Sequence, residues 1–308
     1  MLAVACSREN KSFGDEFSGF HPLVNFAYFA FVLGFSMILA HPVSQIISLV
    51  CAVCCGISVC GSKGIAFNLK YSLPLLILTA IANPLFNHEG GTILTYLTTG
   101  NPLTLESILY GIFSGVMLAA ILSWFVSFNK IITSDKLIYL FGRIIPSLSL
   151  LLSMTLRFIP RFKKQFDTVK EAQKCMGRDA FKGNIFRRMR SAIAVLSVVI
   201  TWSLENAVET ADSMKSRGYG LKGRSSFSIF RFGSRDKAAL AWIIFCGIYV
   251  ACGVFAGAFE WRFFPRVYGG AVTPLSVSFY AVYLMLCLTP VIINGKELHR
   301  WKSLQSRI

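Results

Sequence analysis

Ionisable residues are missing from most of this chain. Of its 308 residues only 15% are Asp, Glu, Lys or Arg, against 54% hydrophobic ones, whereas soluble domains are typically about a quarter charged. Six apolar stretches (23–40, 43–60, 71–86, 108–128, 238–258 and 275–293) contain no Asp, Glu, Lys or Arg at all. Carriers driven by protons or sodium place such groups inside their spans to meet the permeating charge, so the gap argues against ion coupling. A phosphate-cradling Gly-x4-Gly-Lys-Ser/Thr loop is also missing, which excludes this chain as an ATPase. No Ser/His or paired-Asp set lies in the apolar stretches to support an intramembrane hydrolase. The four histidines (His21, His41, His88, His299) are far apart, and Cys51-x-x-Cys54 has no second ligand pair at metal-binding spacing. No metal site and no cofactor are expected in the chain. The first twenty residues lack an apolar core preceded by basic residues, so no cleavable signal peptide is expected.

What is present is lipid-compatible surface. Each of the six stretches approaches the ~20 residues that cross a ~30 Å hydrocarbon core, and the expected fold is an all-α polytopic membrane protein. Charge gives the orientation. Lys63 and Lys70 lie between the second and third stretches, the segment 87–107 has Glu89 and Glu106 but no Lys or Arg, and 21 of the 31 basic residues fall between Lys130 and Lys237. The positive-inside rule then places segment 1–22, a central module 131–237 and a tail 294–308 in the cytoplasm. Transmembrane helices one to four occupy 23–130 and five and six occupy 238–293, in the plasma membrane. The net charge of +16 comes without aromatic-basic stacking motifs or zinc spacing, so nucleic acid is not the expected partner. Two further apolar runs, 144–159 and 192–204, look too short to cross, and crossing by both would expose Arg-Phe-Lys-Lys and Arg-Arg-Met-Arg on the outer side. They are expected to belong to the cytoplasmic module.

Within that module two amphipathic helices end alike. Phe162, Phe166, Val169, Ala172 and Met176 follow helical spacing, and Gly177 is placed to stop the helix, with Arg178 next. Leu204, Ala207, Ala211 and Met214 form a second stripe, beside an acidic one of Glu205, Glu209 and Asp212 that either pairs with Lys170 or Lys174 or is simply solvated. Gly218 is placed to stop this helix, with Arg217 on its last turn. A cation there already complements the partial negative charge of a helix C-terminus. A protruding end with one donor-rich side chain also suits an acidic groove, since guanidinium grips carboxylate in bidentate fashion.

The segments His-Pro-Leu-Val-Asn-Phe, Gly-Asn-Pro-Leu-Thr-Leu-Glu-Ser and above all Glu-Asn-Ala-Val-Glu-Thr-Ala-Asp-Ser-Met-Lys-Ser-Arg-Gly-Tyr-Gly carry a resemblance over nearly the whole chain. It resembles the transmembrane (T) component of energy-coupling factor transporters, the CbiQ-like family. The resemblance implies two coupling helices whose Ala-Arg-Gly-like tips dock into two ABC-type ATPase subunits that hold ATP and Mg. It also implies a separate substrate-binding membrane subunit for vitamin or cobalt/nickel uptake. Ser216-Arg217-Gly218 matches the second tip. At the first, Cys175-Met176-Gly177 puts methionine where the family has arginine, and Arg178 follows one residue later; either Arg178 substitutes from the loop or Met176 docks in an apolar groove. From the residues alone, a self-contained channel or carrier with a basic regulatory domain stays open as the alternative.

Overall fold

The computed structural model describes residues 16–96, 102–177, 184–219, 221, 230–269 and 273–305. In chain order the elements are a short 3-10 turn (Phe17–Gly19), α1 (Pro22–Ile38), α2 (Pro42–Cys60), α3 (Ser62–Phe67), a π-helical turn (Asn68–Ser72), α4 (Leu73–Phe86), β1 (Ile93–Tyr96), β2 (Pro102–Thr104) and α5 (Leu105–Ile131). There follow α6 (Ser134–Ile144), α7 (Pro146–Cys175), α8 (Ile185–Ser216), α9 (Ser234–Phe255), β3 (Trp261–Arg262), β4 (Tyr268–Gly269) and α10 (Pro274–Gln305). The chain divides into two compact units: Met1–Lys136 with Phe230–Ile308, and Leu137–Ile229.

The first unit is a helical bundle in which α5 packs on α4, α2 and α1, while α10 packs on α2 and α9. Two of its helices start on His-Pro. The Nδ1 atoms of His21 and His41 accept from the Leu23 and Val43 amides, each at 3.3 Å, and Pro22 and Pro42 fill the next position. Imidazole thus does the capping that Ser or Asp usually does, and proline wastes no donor there. Burial lowers the His41 pKa, which keeps its ring neutral and Nδ1 able to accept. Thr104 caps α5 through the Ser107 amide at 3.3 Å, as the Thr-Leu-Glu-Ser run predicts. Along α5, Gly111 and Gly115 let α4 approach closely: a Cβ on Gly115 would stand 2.6 Å from Thr79 Oγ1 and 2.9 Å from the Leu76 carbonyl. Small residues four apart are the usual device for such contacts in lipid.

A polar knot ties four of these helices together. Trp124 Nε1 on α5 donates to Ser48 Oγ on α2 at 3.0 Å; Ser48 Oγ lies 2.6 Å from Ser36 Oγ on α1, and Tyr283 on α10 reaches Ser36 at 3.4 Å. Tyr28 adds a bond to the Cys287 carbonyl at 2.9 Å. All five of these side chains (Trp124, Ser48, Ser36, Tyr283, Tyr28) are fully buried, so any unmet donor would face the desolvation cost of an unpaired polar group.

Six helices are long and apolar enough to cross a membrane: Pro42–Cys60, Gly64–Phe86, Leu105–Ile131, Arg188–Ser216, Ser234–Phe255 and Pro274–Gln305. The set differs from the expected six at two places. α1 is a 17-residue apolar helix, at the lower edge of spanning length. Conversely, the run 192–204 is no short stretch but the middle of the 32-residue α8, and from Pro146 on the run 144–159 is the first half of the 30-residue α7. Pro160 lies inside α7, which runs on through it. Proline inside a helix costs a bond to the carbonyl four residues back and a ring clash with it, but a 30-residue helix has enough other bonds to continue through it. Length therefore does not keep α7 and α8 out of the bilayer.

Both long helices stop on a left-handed glycine. At α8, Gly218 (φ +73) donates to the Lys215 carbonyl at 2.9 Å and Tyr219 donates to the Met214 carbonyl at 3.0 Å, the paired bonds of a Schellman end. At α7, Gly177 (φ +74) donates to the Lys174 carbonyl at 3.0 Å.

Two outcomes follow. Ser48→Ala should lower detergent-solubilised stability by about 1–2 kcal/mol, because interhelical bonds in membrane proteins contribute up to about that much; adding Trp124→Phe should recover part of the loss, read as a non-additive double cycle. Gly218→Ala should raise amide exchange at residues 218 and 219 about fivefold, the equivalent of about 1 kcal/mol of left-handed strain. Gly295→Ala inside α10, where a Cβ meets nothing within 4 Å, should not.

Candidate functional site

In the second unit α7 and α8 run antiparallel. Phe162 meets Trp202 edge-on with ring centres 6.0 Å apart, and Arg161 sits over the same indole at 5.4 Å. Further along, Phe166 and Lys170 share a groove with Ile185, Arg188, Met189, Ala192 and Val195, so numbers rise on one helix as they fall on the other. Val195 and Trp202 meet α7 and, with Val199 and Asn206, form a less exposed stripe of α8 in which Val195 and Val199 are buried. This stripe obeys the four-three-four helical spacing, yet the sequence reading passed over it in favour of Leu204, Ala207, Ala211 and Met214. In the structure Leu204, Ala207 and Ala211 are exposed and Met214 half-buried.

Antiparallel packing sends the two helix ends in opposite directions. From the Phe162–Trp202 crossing, Met176 lies about four turns, or about 21 Å, along α7, and Arg217 lies about four turns along α8 the other way. The two ends share one backbone geometry. Met176 and Arg217 are each the C-cap residue, with φ/ψ of −80/11 and −84/10, and each precedes a glycine of positive φ. The Met176 side chain is 64% exposed, and Arg217 is exposed as well. Ser216 turns its hydroxyl back to the Ser213 carbonyl at 2.9 Å, which leaves the guanidinium as the projecting donor group at that end. Each tip is thus a small-residue collar around one long side chain, cationic on α8 and apolar on α7. The expected stand-in, Arg178, lies outside the described residues.

The suggested pairing of Glu205, Glu209 and Asp212 with Lys170 or Lys174 is not what the helices arrange. Lys170 lies beside Arg188 and Met189, and the three acids continue past Trp202 on the opposite arm, all exposed. They form a solvated face. In the other unit Arg235 pairs with Glu16 at 3.5 Å.

Lys136 was counted in the sequence only as one more inward charge. It is buried at 7% exposure and donates to the Ile131 carbonyl at 2.9 Å, at the C-terminal end of α5, and to Ser18. Partnering with helix-terminal carbonyls suits an ammonium ion, but no local pattern in the sequence distinguishes such a lysine from an exposed one. The His21 and His41 caps were legible in principle from two His-Pro pairs. Among the described residues no group of three His, Cys, Asp or Glu side chains could hold a metal ion.

The family model CbiQ, cobalt transport protein, matches residues 22–229, a range that includes both helix ends. The energy-coupling factor transporter transmembrane protein EcfT 1 of Listeria monocytogenes is 28% identical over 193 residues, which cover 57% of this chain and 70% of that protein. EcfT of Bacillus selenitireducens is 27% identical over 191 residues, 57% of this chain and 69% of the relative. EcfT of Lactococcus lactis subsp. cremoris is 36% identical over a shorter 98 residues, 32% of this chain and 37% of its own. With more than half of its length matched by one family model, from the first helix through the Arg217 tip, the chain belongs to the CbiQ (cobalt transport protein) family.

Proposed function

We propose that this chain is the transmembrane scaffold and coupling subunit of an energy-coupling factor transporter. It catalyses nothing itself; ATP and Mg belong to two ABC-type ATPase subunits, which dock at the Arg217 and Met176 tips. A separate substrate-binding membrane subunit packs against its apolar helices and carries the micronutrient, so the cargo-binding residues lie on that subunit. The observation that carries this reading is the pair of matched C-caps, Met176-Gly177 and Ser216-Arg217-Gly218, exposed at opposite ends of one antiparallel helix pair. Two partners need two separated handles, and a pair of stiff helices crossing near their midpoints supplies them.

In this reading α7 and α8 lie along the inner face of the membrane, with both chain ends on the cytoplasmic side. Length permits α8 to cross, but charge opposes it: crossing would put the Arg188–Arg190 end and the Arg217 end on opposite sides of the bilayer, against the positive-inside bias. When ATP draws the two ATPases together, each pulls its tip, and the crossing at Phe162 and Trp202 turns that into rotation of one helix past the other. That motion tilts the substrate-binding subunit toward the cytoplasm. Arg217 grips an acidic groove by bidentate bonds, while Met176 fits an apolar one, its flexible thioether filling an irregular surface.

Co-purification with the ATPases encoded beside it tests the reading. Wild type in detergent should bring down an ATPase pair, and Arg217→Glu should weaken capture at least about thirtyfold, as expected when one member of a desolvated charge pair is reversed. Arg217→Lys should fall between them, because ammonium lacks the fork geometry. Capture of no ATPase by wild type overturns the proposal.

A further inference from the structure

Two stretches of chain join the second unit to the first: one leaves after Lys136 and the other returns at Phe230. Both are held by the same short piece, residues 16–21. On the leaving side, the buried ammonium of Lys136 donates to the Ser18 carbonyl and, at 3.3 Å, to the Ser18 hydroxyl. It also donates to the Ile131 carbonyl at the end of α5. On the returning side, the Asp236 carboxylate accepts from the His21 amide at 3.0 Å through one oxygen and from the Gly233 amide at 2.9 Å through the other. Phe232 meets the His21 ring edge-on with centres 4.9 Å apart, and the Arg235 guanidinium lies 4.5 Å from the centre of the Phe20 ring.

We infer that residues 16–21 are a clasp that fixes both chain passages at one place in the bundle, and that Lys136 and Asp236 are positioning residues for the coupling motion. The second part rests on the function proposed above. Satisfying the end of α5 takes only the bond to Ile131, and starting α9 takes only the bond from Gly233. The bonds to Ser18 and His21 are additional, and being charge-assisted they are about twice as strong as neutral ones. The clasp is itself anchored. Phe17 is fully buried against Tyr28 of α1, and its amide donates to Asn294 of α10 at 3.1 Å. Asn294 in turn donates to Ser58 of α2 at 3.3 Å. The ends of α1, α2, α5, α9 and α10 are thus joined through six residues. A pull arriving along either passage meets that common anchor rather than one fraying helix end, and a contiguous network of this kind is what carries coupling between distant sites.

Amide hydrogen exchange on the full chain in detergent tests the clasp without any partner. Lys136→Met keeps the stem and removes the charge; it should speed exchange about tenfold at Gly233 and Lys237 in the returning stretch, the equivalent of one charged hydrogen bond lost. Asp236→Ala should speed it to a similar degree at Ile132 in the leaving stretch. Ser48→Ala, which weakens the bundle elsewhere, should not single out either stretch. A cooperative melt shows that a variant folds, and either variant alone decides the question. A rise confined to the mutated side overturns the clasp, as does the same selective rise in Ser48→Ala. The positioning role is read in the complex with the ATPases encoded beside the chain. A non-hydrolysable ATP analogue should change exchange at residues 17–21 at least about fivefold in the wild-type complex, the lower end of ordinary coupling between sites. Lys136→Met should capture the ATPase pair as wild type does and lose that response. An unchanged response in the variant overturns the positioning role. Failure of wild type to capture any ATPase instead overturns the proposed function and the positioning role with it, while the clasp stands or falls on exchange in the chain alone.

Discussion

The packing of α7 against α8 sets what the rest of the second unit can do. Trp202 against Phe162, with Val195 beside Phe166 further along, sets two helices of 30 and 32 residues in antiparallel register. From that register follow the opposite directions of the two tips, the solvated position of the acidic stripe and the groove beyond Phe166. None of these would survive a parallel arrangement, which would bring Met176 and Arg217 to the same end.

The first unit solves a different problem. Its helices lie in a solvent as apolar as their own side chains, so burial of Leu or Ile gives little preference for one packing over another. Specificity comes instead from close backbone approach at Gly111 and Gly115 and from hydrogen bonds that have one set of partners. The knot of Ser36, Ser48, Trp124 and Tyr283 joins α1, α2, α5 and α10, and Lys136 closes the end of α5 on the turn at Ser18. Each such bond is modest alone, but each has an unmet buried donor as its alternative.

Much of this was legible in the sequence where the signal is local. The helix-stopping glycines at 177 and 218 and five of the six apolar spans each depend on a few neighbouring residues, and the structure keeps them. The candidate tips were found for the same reason, through a glycine following a helical stripe. What was missed depends on contacts distant in the chain. The burial of Lys136 is decided by carbonyls more than a hundred residues apart, and the less exposed stripe of α8 is polar enough at Asn206 to look unremarkable beside Leu204. The run 144–159 and the stripe from Phe162 were read apart because the continuity of a 30-residue helix is collective.

The equivalence of Met176 and Arg217 bears on how such a subunit can diversify. A C-cap residue followed by a left-handed glycine contributes its backbone to the helix end and its side chain almost wholly to the outside. Exchange of that side chain leaves the terminal carbonyl bonds intact, because backbone amides beyond it make them. The helix behaves as a shank with a replaceable bit: one residue alters what the tip recognises, while lever length, direction and stiffness stay as they were. One chain can therefore carry an apolar and a cationic bit on helix ends of the same backbone geometry.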